Sequence, residues 1–293
     1  MLENFSPVHQ GMGLHGQPGA SAPASLRVVA MLRDSASDPD GSNEQALLWP
    51  VCDYLQRLGH PVLVLDGSQS ERADMPGLEQ LLEQSIWQAR TGLHPDPQGR
   101  SVAVLPARQG LALLDARARK AGTTCTDWLQ RHMRGFALLM IYADADTLVR
   151  ILPNEAVQPL MVLPDQGPLM LGCYRQLKQL AVQAGLHCVL ASLRQAHDDD
   201  GVAGYDWKRK QSSVRSRAQD EARNQAQIDA LRQCAQRHMG HEPELLTVRA
   251  QHAPDLQRLA LHLLNHACSV MPHGSQTLAA GFAPLPAYSV WSH

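Results

Sequence analysis

The chemistry in this chain would have to come from a few acidic and histidine positions, because cations are scarce in its first half. The segment Arg33–Ser42 (RDSASDPDGS) follows the first apolar run. In an open α/β sheet the loop after the first strand is the usual phosphate cradle. A cradle needs glycines, so that backbone N–H groups can approach the phosphates, and a cation to neutralise them. This loop has one glycine, Gly41, and no lysine, and the first lysine of the whole chain is Lys120. Its Asp34, Asp38 and Asp40 would repel a triphosphate, and a plain surface turn accounts for the same residues.

Other groupings offer less. Cys234, His238 and His241 stand at i, i+4 and i+7, which puts two or three ligating side chains on one helical face. Cys234 also belongs to an apolar stripe, and a zinc site lacks a fourth ligand at the usual spacing. His262 and His266 form an i, i+4 pair that reads as a solvated face. Asp144-Ala145-Asp146 has the form of a metal-binding DxD, a short motif of low specificity. There is no GxSxG elbow, and no cysteine sits in a basic cluster or at a helix start that would mark a nucleophile. No metal is expected. The basic run Lys208, Arg209, Lys210, Arg215, Arg217 suits nucleic acid or an acidic partner, or a solvated helix face balanced by Asp198–Asp200.

The elements that must position these residues follow from composition and pattern. The chain has 293 residues, 44% of them hydrophobic and 18% charged, enough apolar content to exclude disorder for most of its length. The longest apolar run, Phe136–Ala143, is far short of a membrane span of about 20 residues. A net charge of −2 gives no global push toward nucleic acid, and none is expected as a partner. Six cysteines without a CxxC pair suggest reduced thiols and a cytoplasmic location.

Short apolar runs predict strands at Leu26–Leu32, Pro61–Leu65, Ser101–Leu105, Phe136–Tyr142, Pro159–Leu163, His187–Leu193 and Glu244–Val248. Helical spacing predicts helices between them: Ala46 to Gly59, starting or kinking at Pro50, then Leu78–Ala89, Gln109–Lys120, Pro168–Ala184, Ile228–Met239 and Pro254–Cys268. Continuously apolar strands alternating with helices imply an α/β fold, a doubly wound, mostly parallel sheet in three layers. Residues 1–25 read as a disordered leader, 26–268 as one domain, and 269–293 as a disordered tail. Within the domain, about 197–219 is a polar insertion, either a loop or an exposed helix start.

The order of features, with VLVLDGS at 62–68, VAVLPARQGLALL at 102–114, FALLMIYAD at 136–144 and LMVLPDQGPLMLGCYRQLKQLAVQAGL at 160–186, resembles the MinD/ParA-like family of deviant P-loop ATPases from Leu26 to about Leu264. LRQCAQRHMG at 231–240, followed by a strand and a closing helix, looks most like the flagellar-number regulators of that family. The resemblance implies a P-loop NTPase-like fold and a site for ATP and magnesium. It also implies a phosphate loop with glycines, a lysine and a magnesium-binding hydroxyl.

Carried over residue by residue, most of that site is missing. Gly41 and Ser42 fall at the end of the loop, Ser42 near the magnesium hydroxyl's place, where a serine also serves as an N-cap. Asp66 matches the family's switch aspartate, or caps the segment that follows it. The aspartate expected at the end of the 136–143 run lines up with Tyr142, and Ala191 or Ser192 stands where an adenine-reading asparagine would be. Gly41, Ser42 and Asp66 are therefore what remains of a nucleotide site with a degenerate Walker A loop. No catalytic residue and no cofactor are expected, ATP and magnesium entering only if the remnant binds them.

The expectation is a non-hydrolysing regulatory protein that acts through protein contacts, in bacterial flagellar assembly or placement. The alternatives are an active ATPase with an unorthodox phosphate loop, or an accessory protein of a secretion or polysaccharide-synthesis system. Some members of the family end in a lipid-binding amphipathic helix. Pro254–Cys268 has the apolar stripe for that, but its polar face carries one fixed positive charge, Arg258, offset by Asp255. Membrane association is not expected, and this helix should close the fold against the sheet.

Overall fold

The structure, a computed structural model, describes residues 25–34, 41–83, 94–95, 102–133, 135–163, 170–194, 207–249 and 251–270, with the backbone alone for 94–95, 207–218 and 220. Seven strands run parallel: β1 (Leu26–Leu32), β2 (Val62–Asp66), β4 (Ala103–Pro106), β5 (Leu138–Ala143), β6 (Leu160–Leu163), β7 (Val189–Arg194) and β8 (Leu245–Arg249). The short β3 (His94–Pro95) lies antiparallel on β4, giving the order β3-β4-β2-β5-β1-β6-β7-β8. The ninth strand, β9 (Cys268–Val270), pairs antiparallel with β1, Leu26 opposite Val270 and Val28 opposite Cys268.

The side-chain period of two sorts β1 between two cores. Leu26, Val28, Ala30 and Leu32 face one, and Val29 and Met31 face the other. The first core is covered by α2 (Leu78–Glu83), α3 (Arg108–Ala121), α4 (Cys125–His132), α5 (Ala145–Ile151), α6 (Met170–Ala184) and α7 (Trp207–Met239). The second is covered by α1 (Ser42–Arg57) and α8 (Ala253–Asn265). The molecule is thus the doubly wound, three-layer α/β sheet that the alternating pattern predicts.

Several expectations hold at the level of single residues. Cys173, Leu177 and Leu180 are buried on the sheet side of α6. In α8, Leu256, Leu259, Ala260 and Leu263 are buried, so this helix does close the fold against the sheet. No helix among the described residues is long and apolar enough to cross a membrane.

Other boundaries move. α1 begins at Ser42 and runs through Pro50 without interruption. The expected tail contributes its first two residues, 269 and 270, to β9, because the lower half of β1 has an open hydrogen-bonding edge where β6 pairs only at Met31–Leu160. The second half of the polar insertion, from Trp207, is helix and continuous with the predicted Ile228–Met239. Helices α4 and α5 were not anticipated. Each is closed by a side-chain N-cap, Thr124 accepting from the Asp127 N–H at 3.0 Å and Asp144 from the Thr147 N–H at 2.8 Å. Residues 84–89, the rest of the predicted second helix, lie outside the described residues.

Candidate functional site

In an open sheet of this kind the binding crevice lies outside the carboxyl ends of the strands, where neighbouring strands send their helices to opposite faces. Here that place is around β1, followed by α1 on one face, which stands between β5 and β6, followed by α5 and α6 on the other. Asp38 and Asp40 lie outside the described residues. Asp34, Gly41, Ser42, Asp66 and Tyr142 do not.

Four acidic or phenolic side chains converge there, all buried: Asp34 at 4% exposure, Glu44 at 3%, Asp66 at 2% and Tyr142 at 1%. The organising group is Glu44, in the first turn of α1. One oxygen of its carboxylate accepts the Asp34 N–H at 2.6 Å, and the other accepts the Tyr142 hydroxyl in a short hydrogen bond. Gln176 of α6 donates its amide to Asp34 Oδ1 at 2.9 Å. Helices from both faces and the ends of β1 and β5 are thus joined through one buried polar network, which is how buried polar groups persist without water. Burial, and then the bond to Glu44, push the Tyr142 phenol well above the usual range, so it remains a hydrogen-bond donor.

Gly41 sits against this network. Its φ of +67° is left-handed, and a Cβ there would stand 2.9 Å from the Tyr142 oxygen. Gly41, and not Ser42, is the N-cap of α1, and Ser42 is the first helical residue. The backbone of Gly67 closes on the same tyrosine, its N–H donating to the Tyr142 carbonyl at 2.7 Å.

Asp66 ends β2 opposite Tyr142 in the register of β5. Its carboxylate accepts both the N–H and the hydroxyl of Ser68, at 2.8 and 2.6 Å. This is the turn-capping role weighed for it from sequence. Burial raises its pKa, with the Ser68 bonds and the nearby Arg33 guanidinium acting the other way. Arg33 acts on Tyr142 in the same sense. Of the two lysines in described side chains, Lys120 ends α3 and Lys178 lies exposed on the outer side of α6.

A second carboxylate at this edge was not anticipated. Glu71 accepts the N–H groups of Gln109 and Gly110, at 2.9 and 2.7 Å, and so occupies the amino-terminal end of α3. A helix start is an anion site by virtue of its free N–H groups and its dipole, and here the protein supplies the anion. Gly110 is required for the fit: a Cβ would meet Leu78 at 2.5 Å.

The remaining sequence candidates separate. Asp144 is spent on the α5 cap, and Asp146 accepts from Gln179 at 2.5 Å, so the two do not form a metal pair. His238 lies edge-on to Tyr174, with ring centres 6.4 Å apart, and His241 lies 4.6 Å from the His187 ring. Among the described residues no three ligating side chains are placed to hold a metal ion. Ala191 is buried within β7 and Ser192 is half-buried beside it. His262 is not on a solvated face, since its side chain is 13% exposed with Nδ1 3.6 Å from Glu244. It turns inward because α8 packs on β8 and α1 at once. All six cysteines are free thiols, and burial pushes Cys125, Cys173 and Cys188 up to about 12, which leaves them poor nucleophiles.

Tyr142 was legible as a departure from the expected aspartate, but Glu44 was missed. A signal for it existed: a tyrosine in a strand buried on both faces needs an acceptor for its hydroxyl.

No family model matches the chain, and no curated protein does. Among solved structures, it is similar to the MinD cell division protein of Aquifex aeolicus, at 13% identity and a TM-score of 0.40, over 80% of this chain and 87% of that one. The MinC:MinD cell division protein complex of the same organism gives 13% identity and 0.40, over 80% and 86%. The fold class rests on the sheet order and the two cores described above.

Proposed function

We propose that this protein is a MinD/ParA-like regulator that neither hydrolyses nor depends on nucleotide and that acts through protein contacts. The observation that carries the reading is Glu44. Its carboxylate joins the Asp34 N–H to the Tyr142 hydroxyl at the carboxyl end of β1. Catalysis of phosphoryl transfer is almost wholly positioned positive charge and oriented backbone N–H groups. Among the described residues, the buried ionisable side chains of this crevice are Asp34, Glu44, Asp66 and Tyr142, and Arg33 is a cation whose field reaches Asp66 and Tyr142. A nucleoside triphosphate brought to this edge would meet carboxylates where it needs cations.

The sequence resemblance to flagellar-number regulators points to flagellar assembly or placement in the bacterial cytoplasm as the setting, with an assembly component as the protein partner. The test is phosphate release and sedimentation with and without MgATP. The reading predicts no release above background and an unchanged sedimentation coefficient. Turnover, or a shift to a larger species on adding ATP, would instead support an active ATPase with an unorthodox loop.

A further inference from the structure

We propose that Arg258 and Asp255, in the first turns of α8, close the outer edge of β8 and so keep the sheet from pairing with a second copy of this chain. Among the described residues β8 is the last strand of the sheet, paired on one side with β7. A strand so placed turns a row of N–H and C=O groups away from its neighbour, which is a template for another strand. The ladder fixes which groups those are. Leu190 of β7 donates its N–H to the Glu244 carbonyl at 2.8 Å. By alternation Glu244, Leu246 and Val248 bond toward β7, and Leu245, Thr247 and Arg249 point away from it.

The outward groups in the carboxyl half of the strand are occupied by the segment that follows it. Arg258 donates from its guanidinium to the Thr247 carbonyl at 3.0 Å. Asp255 accepts the Arg249 N–H at 3.2 Å and the Arg249 guanidinium at 2.8 Å. The Arg249 carbonyl accepts the His252 N–H at 3.0 Å. Asp255 and Arg258 also pair with each other at 3.4 Å, their i, i+3 spacing placing both on one side of α8. The Asp255 side chain is 12% exposed and that of Arg258 60%, so the acid is set into the helix start while the guanidinium lies out over the strand.

The strand itself offers little else to deter a partner. LLTVR has three apolar residues, no proline, and one charge, Arg249, which is already engaged by Asp255. A second copy is the partner this edge fits, because strand addition reads backbone and a two-fold axis through Thr247 matches the edge to itself. Thr247 would then stand opposite its own copy and Leu245 opposite Arg249, a self-complementary contact that closes at two chains. The guanidinium over the Thr247 carbonyl stands at the centre of that arrangement. This reading uses β8 and α8 alone and is independent of whether the crevice takes nucleotide.

The experiment is sedimentation velocity of the full chain and its variants from low to high micromolar concentration, without nucleotide. Arg258→Ala, at an exposed side chain, should keep the thermal unfolding midpoint nearly unchanged and strengthen self-association at least about tenfold over the parent. Adding Asp255→Ala should strengthen it further, since the Arg249 N–H is then uncovered as well. Thr247 is exposed, and Thr247→Lys in the Arg258→Ala background sets two cations opposite each other across the two-fold. That variant should return to parental sedimentation. Parental sedimentation of Arg258→Ala across the whole range would overturn the proposal, whether or not the double variant folds. So would an association of Arg258→Ala that Thr247→Lys leaves unchanged, which would place the contact away from β8.

Discussion

Helices α1 and α3 each follow a strand of the sheet, β1 and β4, and neither has a side-chain N-cap. At α3 a carboxylate is brought in from another loop: Glu71 lies 38 and 39 residues from the N–H groups it accepts. At α1 the helix's own Glu44 reaches the other way, to the Asp34 N–H and to the hydroxyl of Tyr142 on β5. The first arrangement pins a loop to a helix start. The second pulls a helix start, a strand end and, through Gln176, the opposite layer into one network. At α3 the N–H groups that an external anion would seek are engaged by a carboxylate of the chain, and at α1 a carboxylate of the helix's first turn is held against the strand ends. That is why the crevice of a doubly wound sheet can persist here as a structural joint.

The largest test of the contrast is steric. Gly110→Ala places a Cβ 2.5–2.7 Å from Leu78 and Glu79 backbone and side-chain atoms, and α2 cannot retreat without exposing Leu78 and Leu82. We expect a loss of about 3 kcal/mol or more in denaturant titration. Gly41→Ala meets the Tyr142 oxygen at 2.9 Å and also a positive φ, for about 1–2 kcal/mol. In a Tyr142→Phe background the steric part of the Gly41→Ala cost should vanish while the φ part stays, a coupling that a double-mutant cycle reads directly. Additivity would mean that Gly41 does not pack on the tyrosine.

Between the two glycine effects in size falls the removal of the two carboxylate roles. Glu71→Ala deletes two charge-assisted hydrogen bonds and the compensation of the α3 dipole, about 2–3 kcal/mol. Tyr142→Phe deletes one donor to Glu44, about 1–3 kcal/mol, and leaves the sheet intact. If the order of the two is reversed, the α1 network is the stronger joint, contrary to the roles argued above.

The smallest effect belongs to neither helix start. Burial holds the His262 pKa below its usual value, opposed by Glu244. On acidification the unfolded chain takes up its proton first. This contribution to stability is therefore whole above about pH 6.5 and is lost as pH falls through the lower folded value. The unfolding midpoint should drop over that window, and His262→Asn should flatten the drop. An unchanged pH profile in that variant would place the acid sensitivity elsewhere.

Much of this architecture was legible because it rests on repetition. Seven apolar runs become seven parallel strands, since strands buried on both faces carry few polar residues. The α6 and α8 stripes were legible for a similar reason, being long enough for a 3.6-residue period to show. Helices α4 and α5, of eight and seven residues, are too short for a period and depend on their caps. Strand β9 was illegible because Cys-Ser-Val has no strand pattern of its own, and what makes it a strand is the open edge of β1. The crevice was half-legible. The aspartates, the single glycine and the displaced Tyr142 could be read in order along the chain. The Glu44–Tyr142 bond spans 98 residues and depends on the layer packing, so nothing local announces it.

We propose that this crevice, lined by Asp34, Glu44, Asp66 and Tyr142, takes no nucleotide. The most direct measurement is calorimetric titration of the full chain with MgATP. The expected result is no saturable heat, meaning a Kd weaker than about 1 mM, or less than about 4.1 kcal/mol of binding free energy. A saturable isotherm with micromolar Kd would contradict it, because Glu44 would then have to release Asp34 and Tyr142 to admit a triphosphate.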